Sequence, residues 1–236
     1  MEELGEILKR EANAQKAKDL QRFFKTGKGE YGEGDVFLGI TVPQIRKLCK
    51  QSRDCELEDI DALIESPIHE ARLLGLFLMI EKINLARKNR NFEMEERIFN
   101  SYLDYASQNR INNWDLVDLS APKISGEFLI SRDRGILYTL ARSQNLWDRR
   151  IAILSTFAFI KNKDFSDSLK IAEILLKDKH DLIHKAVGWM LREIGKRNKK
   201  VLVGFLNKHY KNMPRTMLRY SIEKFEEGER KKYMRK

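Results

Sequence analysis

Three residues in this 236-residue chain put a group capable of chemistry where the local pattern calls for something else. In the segment INNWDLVDLSAPKISGEFL, the apolar helical stripe of Trp114, Val117, Ala121, Ile124 and Phe128 also contains Asp118. Asp118 follows Trp114 by one turn, so a carboxylate and an indole point the same way, flanked by Val117 and Leu119. A carboxylate buried alone costs several kcal/mol. Asp118 is therefore paired with an arginine of an adjacent helix, hydrogen-bonded by backbone amides, or exposed in a cleft. These readings separate on one substitution: Asp118→Asn costs little or stabilises if the acid is held unpaired for catalysis, and destabilises if it belongs to a structural ion pair. Asp115 sits in the first helical turn, where capping or dipole stabilisation accounts for it.

In NLWDRRIAILSTFAFI the stripe of Trp147, Ile151, Leu154 and Ala158 again admits one charge, Arg150. Arg150 can pair with Asp118, pack its stem along the helix, or offer its guanidinium to a phosphate. In HDLIHKAVGWMLREIGKRN the core stripe of Ile183, Ala186 or Val187, Met190 or Leu191, and Ile194 is complete without Trp189. Lys185 and Arg192 frame that indole. It is either covered by their stems or is an aromatic platform for a sugar or base, with phosphates held on either side. Gly188 beside it lets something approach the helix closely.

These residues need helices to position them. Four prolines in the whole chain, little strand-like alternation and apolar spacings of three and four predict an all-α fold. Thirteen helices are expected, over about 2–12, 14–25, 42–52, 56–65, 67–86, 92–108, 114–129, 132–143, 146–162, 166–177, 181–196, 198–211 and 214–226. Ser66, Asn113 and Asn145 supply N-terminal signals. The glycine-rich segment 26–41, TGKGEYGEGDVFLGIT, reads as a packed connection pinned by Tyr31, Val36, Phe37 and Leu38. It lacks the Gly-Lys-Ser/Thr of a phosphate loop. Short breaks imply antiparallel neighbours, and helix pairs in series imply an α-solenoid treated as one domain over residues 1–236. Trp114, Arg150 and Trp189 are spaced by about one helix pair each, which puts them on one side of such a stack.

Composition narrows the partners. Forty-five Lys and Arg against 35 Asp and Glu leave a net charge of +10, favouring a polyanion or an anionic membrane surface. No apolar run is long enough to span a bilayer and the N-terminus lacks a signal-peptide core, so an intracellular, cytoplasmic protein is expected. Cys49 and Cys55 read as reduced thiols without a role. His69, His180, His184 and His209 show no metal-ligand spacing. No nucleophile elbow, Cys-His pair or dinucleotide fingerprint occurs. The basic end, RKKYMRK, reads as a solvated tail.

Read together, WDLVD, WDRR and KAVGWMLRE resemble the signatures of the AlkD branch of the DNA alkylation repair family. FLGITVPQIRKL, HEAR at His69 to Arg72, and MPRTMLRYSIEKF extend the similarity over most of the chain. The resemblance implies a curved solenoid of HEAT-like repeats whose concave, basic face holds duplex DNA, acting as a monomer. It implies hydrolysis of cationic lesions such as N3-alkyladenine and N7-alkylguanine, without metal or organic cofactor. On this pattern Asp118 is the catalytic carboxylate and Trp114 and Trp189 are walls around the lesion's deoxyribose. Arg150 is a backbone contact, and Lys185, Arg192 and Tyr31 are further DNA contacts. The alternatives are a non-enzymatic scaffold for DNA or protein, and a lyase using Lys185 as a Schiff-base nucleophile. The lyase needs a depressed lysine pKa for which the sequence offers no reason.

Overall fold

The computed structural model describes residues 2–235, and among them it is all-α, with fourteen α-helices, no strand, and one isolated bridge between Val36 and Ile68. The chain divides into two compact units, one up to Leu116 and one from Val117 onward.

The first unit holds α1 (Glu2–Arg10), α2 (Ala14–Phe23), α3 (Val42–Gln51), α4 (Leu57–Glu65), α5 (His69–Lys88) and α6 (Phe92–Ser107), and ends within α7 (Trp114–Ser120). Its axis is α5. That helix is buried on nearly every side through Leu73, Leu74, Leu76, Phe77, Leu78 and Ile83, the pattern of a helix surrounded by others. Helices α3, α4 and α6 pack against it. Helix starts follow local chemistry: the Asn13 side chain accepts from the Lys16 N–H at 2.9 Å, and Gln44 accepts from the Thr41 N–H at 3.0 Å.

α5 begins at His69, two residues later than Pro67 suggests. The Val36 carbonyl takes the His69 N–H at 2.8 Å and the Ser66 hydroxyl takes the Ile68 N–H at 3.1 Å, which holds the backbone extended there. The segment 26–41 packs as expected only over its second half, through buried Phe37 and Ile40. Most of 27–34 is exposed, and Val36, expected as a pin, has an exposed side chain and is held by its backbone, while a carboxylate organises the packed part. Buried Glu70 accepts the N–H groups of Leu38, Gly39 and Ile40, the Gly39 bond at 2.7 Å. Gly39 has φ of +84°, and a Cβ there would lie 2.2 Å from the Asn13 carbonyl oxygen, so only glycine fits.

The second unit holds α8 (Gly135–Leu140), α9 (Leu146–Lys161), α10 (Ser166–Ile174), α11 (Asp181–Arg197), α12 (Lys199–His209), α13 (Arg215–Ser221) and α14 (Glu227–Met234). α9 is its buried axis, with α11, α10 and α8 against it, while α13 packs on α11. Asn145 caps α9 as expected, accepting from the Trp147 N–H at 2.8 Å.

Two expectations are corrected here. The helix predicted over 114–129 stops at Ser120 and continues as a π-helical turn, Pro122–Gly126, and a 3-10 turn, Leu129–Ser131. Pro122 has no N–H for the i−4 carbonyl, and the ladder resumes one register wider, with the Gly126 N–H donating to the Ala121 carbonyl at 2.8 Å. The basic end, read as a tail, is helical up to Met234: its Arg230, Lys231 and Lys232 side chains are solvated as expected, while Tyr233 attaches it, and Lys236 lies outside the described residues. In α14 the Tyr233 ring meets Tyr210 at 5.5 Å and Phe225 at 6.0 Å, Lys199 pairs with Glu229, and Arg215 donates to the Met234 carbonyl. No helix among the described residues is long and apolar enough to cross a membrane.

Candidate active site

In the second unit Asp118 and Arg150 meet. Arg150 donates from Nε to Asp118 Oδ1 at 2.7 Å and from its second terminal nitrogen to Oδ2 at 2.8 Å, a bidentate clasp. Its remaining terminal nitrogen donates to the Leu182 carbonyl in the first turn of α11. The two partners differ in exposure: the Arg150 side chain is 5% accessible and that of Asp118 15%. The cation is therefore sealed below and the acid opens toward solvent. Of the readings the sequence left open for Asp118, the arginine partner is present, and part of the carboxylate is still reachable. Arg150, read from the sequence as a phosphate contact or a pair for Asp118, is engaged as the pair.

Trp189 lies on α11, the helix that Arg150 reaches, and is half-buried off the core stripe of Ile183, Ala186, Val187, Met190, Leu191 and Ile194, as its position predicts. Its ring meets Phe157 at 6.1 Å. Lys161 stands over the Phe157 ring at 4.7 Å, adding a cation to this aromatic pair. The cations expected to frame Trp189 hold acids: Lys185 pairs with Asp181 at 2.8 Å and Arg192 with Glu223. What approaches α11 at Gly188 is α13, since a Cβ there would sit 2.5 Å from the Tyr220 Cβ and 2.6 Å from the Met217 carbonyl oxygen. Gly188 thus serves helix packing.

Trp114 and Tyr31 belong to the first unit and are both half-buried. One face of the Trp114 indole stacks on Phe24 at 5.1 Å and 14°, and Phe23 meets its edge at 5.9 Å. Beside them is an apolar-lined cavity of about 420 Å³ walled by Leu20, Phe23, Phe37, Ile45 and Trp114, with His69 and Asp115 among its lining.

Behind Trp114 lies a charged cluster that sequence reasoning missed. Buried His69 bonds through Nδ1 to Asp35 at 3.0 Å and through Nε2 to Asp115 at 2.9 Å. Arg72 grips the other Asp35 oxygen and donates to Asn112 at 2.7 Å. Burial opposes charge on the His69 ring, but Asp115 and Asp35 outweigh it and push the pKa up to about 9. Burial likewise opposes the Asp35 anion, and His69 and Arg72 together still hold it below the ordinary carboxylate range. Asp115 does accept the Leu116 N–H at 2.8 Å, a first-turn role, yet its second oxygen serves His69. The available signal was HEAR itself, three ionisable groups placed directly before the apolar run 73–80.

This cluster makes stability depend on pH with a definite sign. The folded pKa of His69 lies above its unfolded value of 6.5, so its contribution is complete below that value and is lost as pH rises through about 9. Thermal melts of the wild type should fall between pH 6.5 and 9, and His69→Gln should flatten that part of the profile. Equal slopes in the two proteins would show that the imidazole carries no proton.

Residues 4–225 match the profile of the family described as DNA alkylation repair enzyme. Among solved structures, one described as a predicted DNA alkylation repair enzyme from Enterococcus faecalis superposes with a TM-score of 0.70 at 20% identity, covering 92% of this chain and 98% of that one. The smu.31 protein from Streptococcus mutans UA159 aligns at 16% identity over 93% and 94% of the two chains, with a TM-score of 0.47. No curated protein matches this chain.

Proposed function

The chain belongs to the DNA alkylation repair enzyme family, and from that premise we propose that it is an AlkD-type monofunctional DNA glycosylase. On this reading it hydrolyses the N-glycosidic bond of cationic alkylated purines, 3-methyladenine and 7-methylguanine, in duplex DNA. The observation that carries the reading is the Asp118 clasp: a partly exposed carboxylate held in one orientation by a buried guanidinium.

Alkylation at N3 or N7 places a positive charge on the base. When the bond from C1′ to the base nitrogen breaks, its electron pair neutralises that charge, and the base leaves without a general acid. Ordinary glycoside hydrolysis instead uses two carboxylates. Positive charge then develops on the sugar, where a fixed anion stabilises it. Water adds to C1′ and loses its proton to solvent or to Asp118, leaving an abasic site. Arg150 orients Asp118 in this scheme, and its charge is already engaged, so it does not need to leave the site to touch DNA. Trp189 and Trp114 offer π faces to the developing cation. Backbone phosphates fall to cations at the surface, with half-buried Lys185, Arg192 and Tyr31 as contacts. No step calls for a metal or organic cofactor.

The test is direct. Duplex DNA carrying a single 7-methylguanine, incubated with the protein and then treated with alkali, should break at the lesion. Tight duplex binding with no release of any cationic base would favour a non-enzymatic scaffold. A borohydride-trapped covalent adduct would favour a lyase.

A further inference from the structure

The charged cluster of the first unit converges on Trp114. Asn113 donates to Asp35 at 3.1 Å and accepts the Trp114 N–H at 2.9 Å, and Asp115, on the other side of Trp114, is held by His69. Both neighbours of the tryptophan in sequence are thus tied to one buried network. The side chain is tied to the same place by a second route. His69 stacks on Phe37 at 4.4 Å and 21°, Phe37 on Phe24 at 5.0 Å and 21°, and Phe24 on the Trp114 indole at 5.1 Å and 14°. Four rings in near-parallel sequence lead from the imidazole to the indole. Stability alone does not call for this arrangement. Removing Asp35, His69, Arg72 and Asp115 from water carries a desolvation cost that well-packed apolar residues avoid, whereas a bonded network fixes orientation as dispersion contacts do not.

We infer that His69 is a positioning residue for Trp114, acting on the backbone through Asp115 and on the indole through the Phe37–Phe24 stack. The inference rests on the functional reading in taking Trp114 as a wall at the lesion. His69 faces the carboxylates of Asp35 and Asp115, with Arg72 beyond Asp35 and with Glu70 directed to the 38–40 amides. It touches no substrate in this scheme and acts only by fixing where the indole stands.

The experiment uses the full chain labelled with fluorotryptophan, whose three tryptophans give separate fluorine NMR signals, Trp114 being assigned by its loss in Trp114→Phe. His69→Gln should shift and broaden the Trp114 signal while Trp147 and Trp189 stay in place. It should also lower single-turnover base release about tenfold, with affinity for an abasic-analogue duplex unchanged within about twofold. Phe37→Leu removes the ring stacked on both His69 and Phe24, leaves every charge and spares the tilted His69–Phe24 contact at 5.1 Å. It should still move the same signal because Phe24 loses its 5.0 Å stacking partner; it decides the matter if His69→Gln unfolds. An unmoved Trp114 signal in the folded variants would overturn the inference, as would affinity falling in step with rate. The signal reports on positioning whether or not base is released, so a wild type that leaves 7-methylguanine intact refutes the functional reading and not this one.

Discussion

Asp118→Asn is expected to slow single-turnover release of 7-methylguanine by about 100-fold or more, the scale on which a preorganised charge at a developing transition-state charge is worth its place. The isostere keeps the shape of the side chain and one acceptor oxygen, so the loss isolates the charge. Duplex affinity should hold or rise if Asp118 faces DNA as proposed, because removing an anion there takes away repulsion. Stability moves as well. Arg150 is sealed and directs two donors at Asp118. With an amide in that place one donor faces another, and the guanidinium loses its counter-charge, a cost of about 2–3 kcal/mol. The substitution that would be neutral for an unpaired acid is therefore destabilising here. Activity is best compared well below the lowered melting point, with Arg150→Met as the companion. That variant frees the carboxylate from its clasp and should also lose activity while Asp118 is intact. Unchanged base release in folded Asp118→Asn would remove this residue from the mechanism.

Glu70→Gln should lower the stability of the first unit by about 3 kcal/mol, or roughly 10 °C in melting temperature. The Glu70 side chain is buried and accepts three successive amides, Leu38, Gly39 and Ile40. A carboxylate presents only acceptors to them. A glutamine presents one oxygen and one NH₂: with its oxygen in the place of Oε1, which takes all three amides, the NH₂ replaces Oε2 and meets the Leu38 N–H donor against donor, and the remaining bonds lose their charge. The effect should pass along the connection to Phe37, whose ring stacks on Phe24 and His69. A melt within about 1 °C of wild type would mean that the amides find other partners. Hydrogen exchange at residues 38–40 reads the same prediction locally.

The helices were legible because burial on a helix face writes itself into sequence at a spacing of three to four, and the thirteen expected segments each contain a helix. Where the reading missed, backbone chemistry overrode periodicity. The apolar stripe through Phe128 continues past Pro122, but the missing N–H of that proline ends α7 regardless of pattern. The terminal helix α14 was hidden by its charge, since only Tyr233 and Met234 carry a packing signal in RKKYMRK. At the site, Asp118 and Arg150 were visible as charges inside apolar stripes. Neither stripe could say that they face each other, because they are separated by 32 residues and belong to different helices.

What the sequence determined by itself, then, is which residues are anomalous: an acid, a guanidinium and an indole placed against the demands of their own helices. An anomaly is a local property, a mismatch between one side chain and its neighbours at i±3 and i±4. Which partner resolves each mismatch is a property of helix packing, and only the tertiary structure decided that Arg150 closes on Asp118, that α13 fills the gap at Gly188, and that His69 joins Asp35 to Asp115. Ion pairs and ring stacks reach across elements distant along the chain, and no periodicity within one element encodes the distance between two.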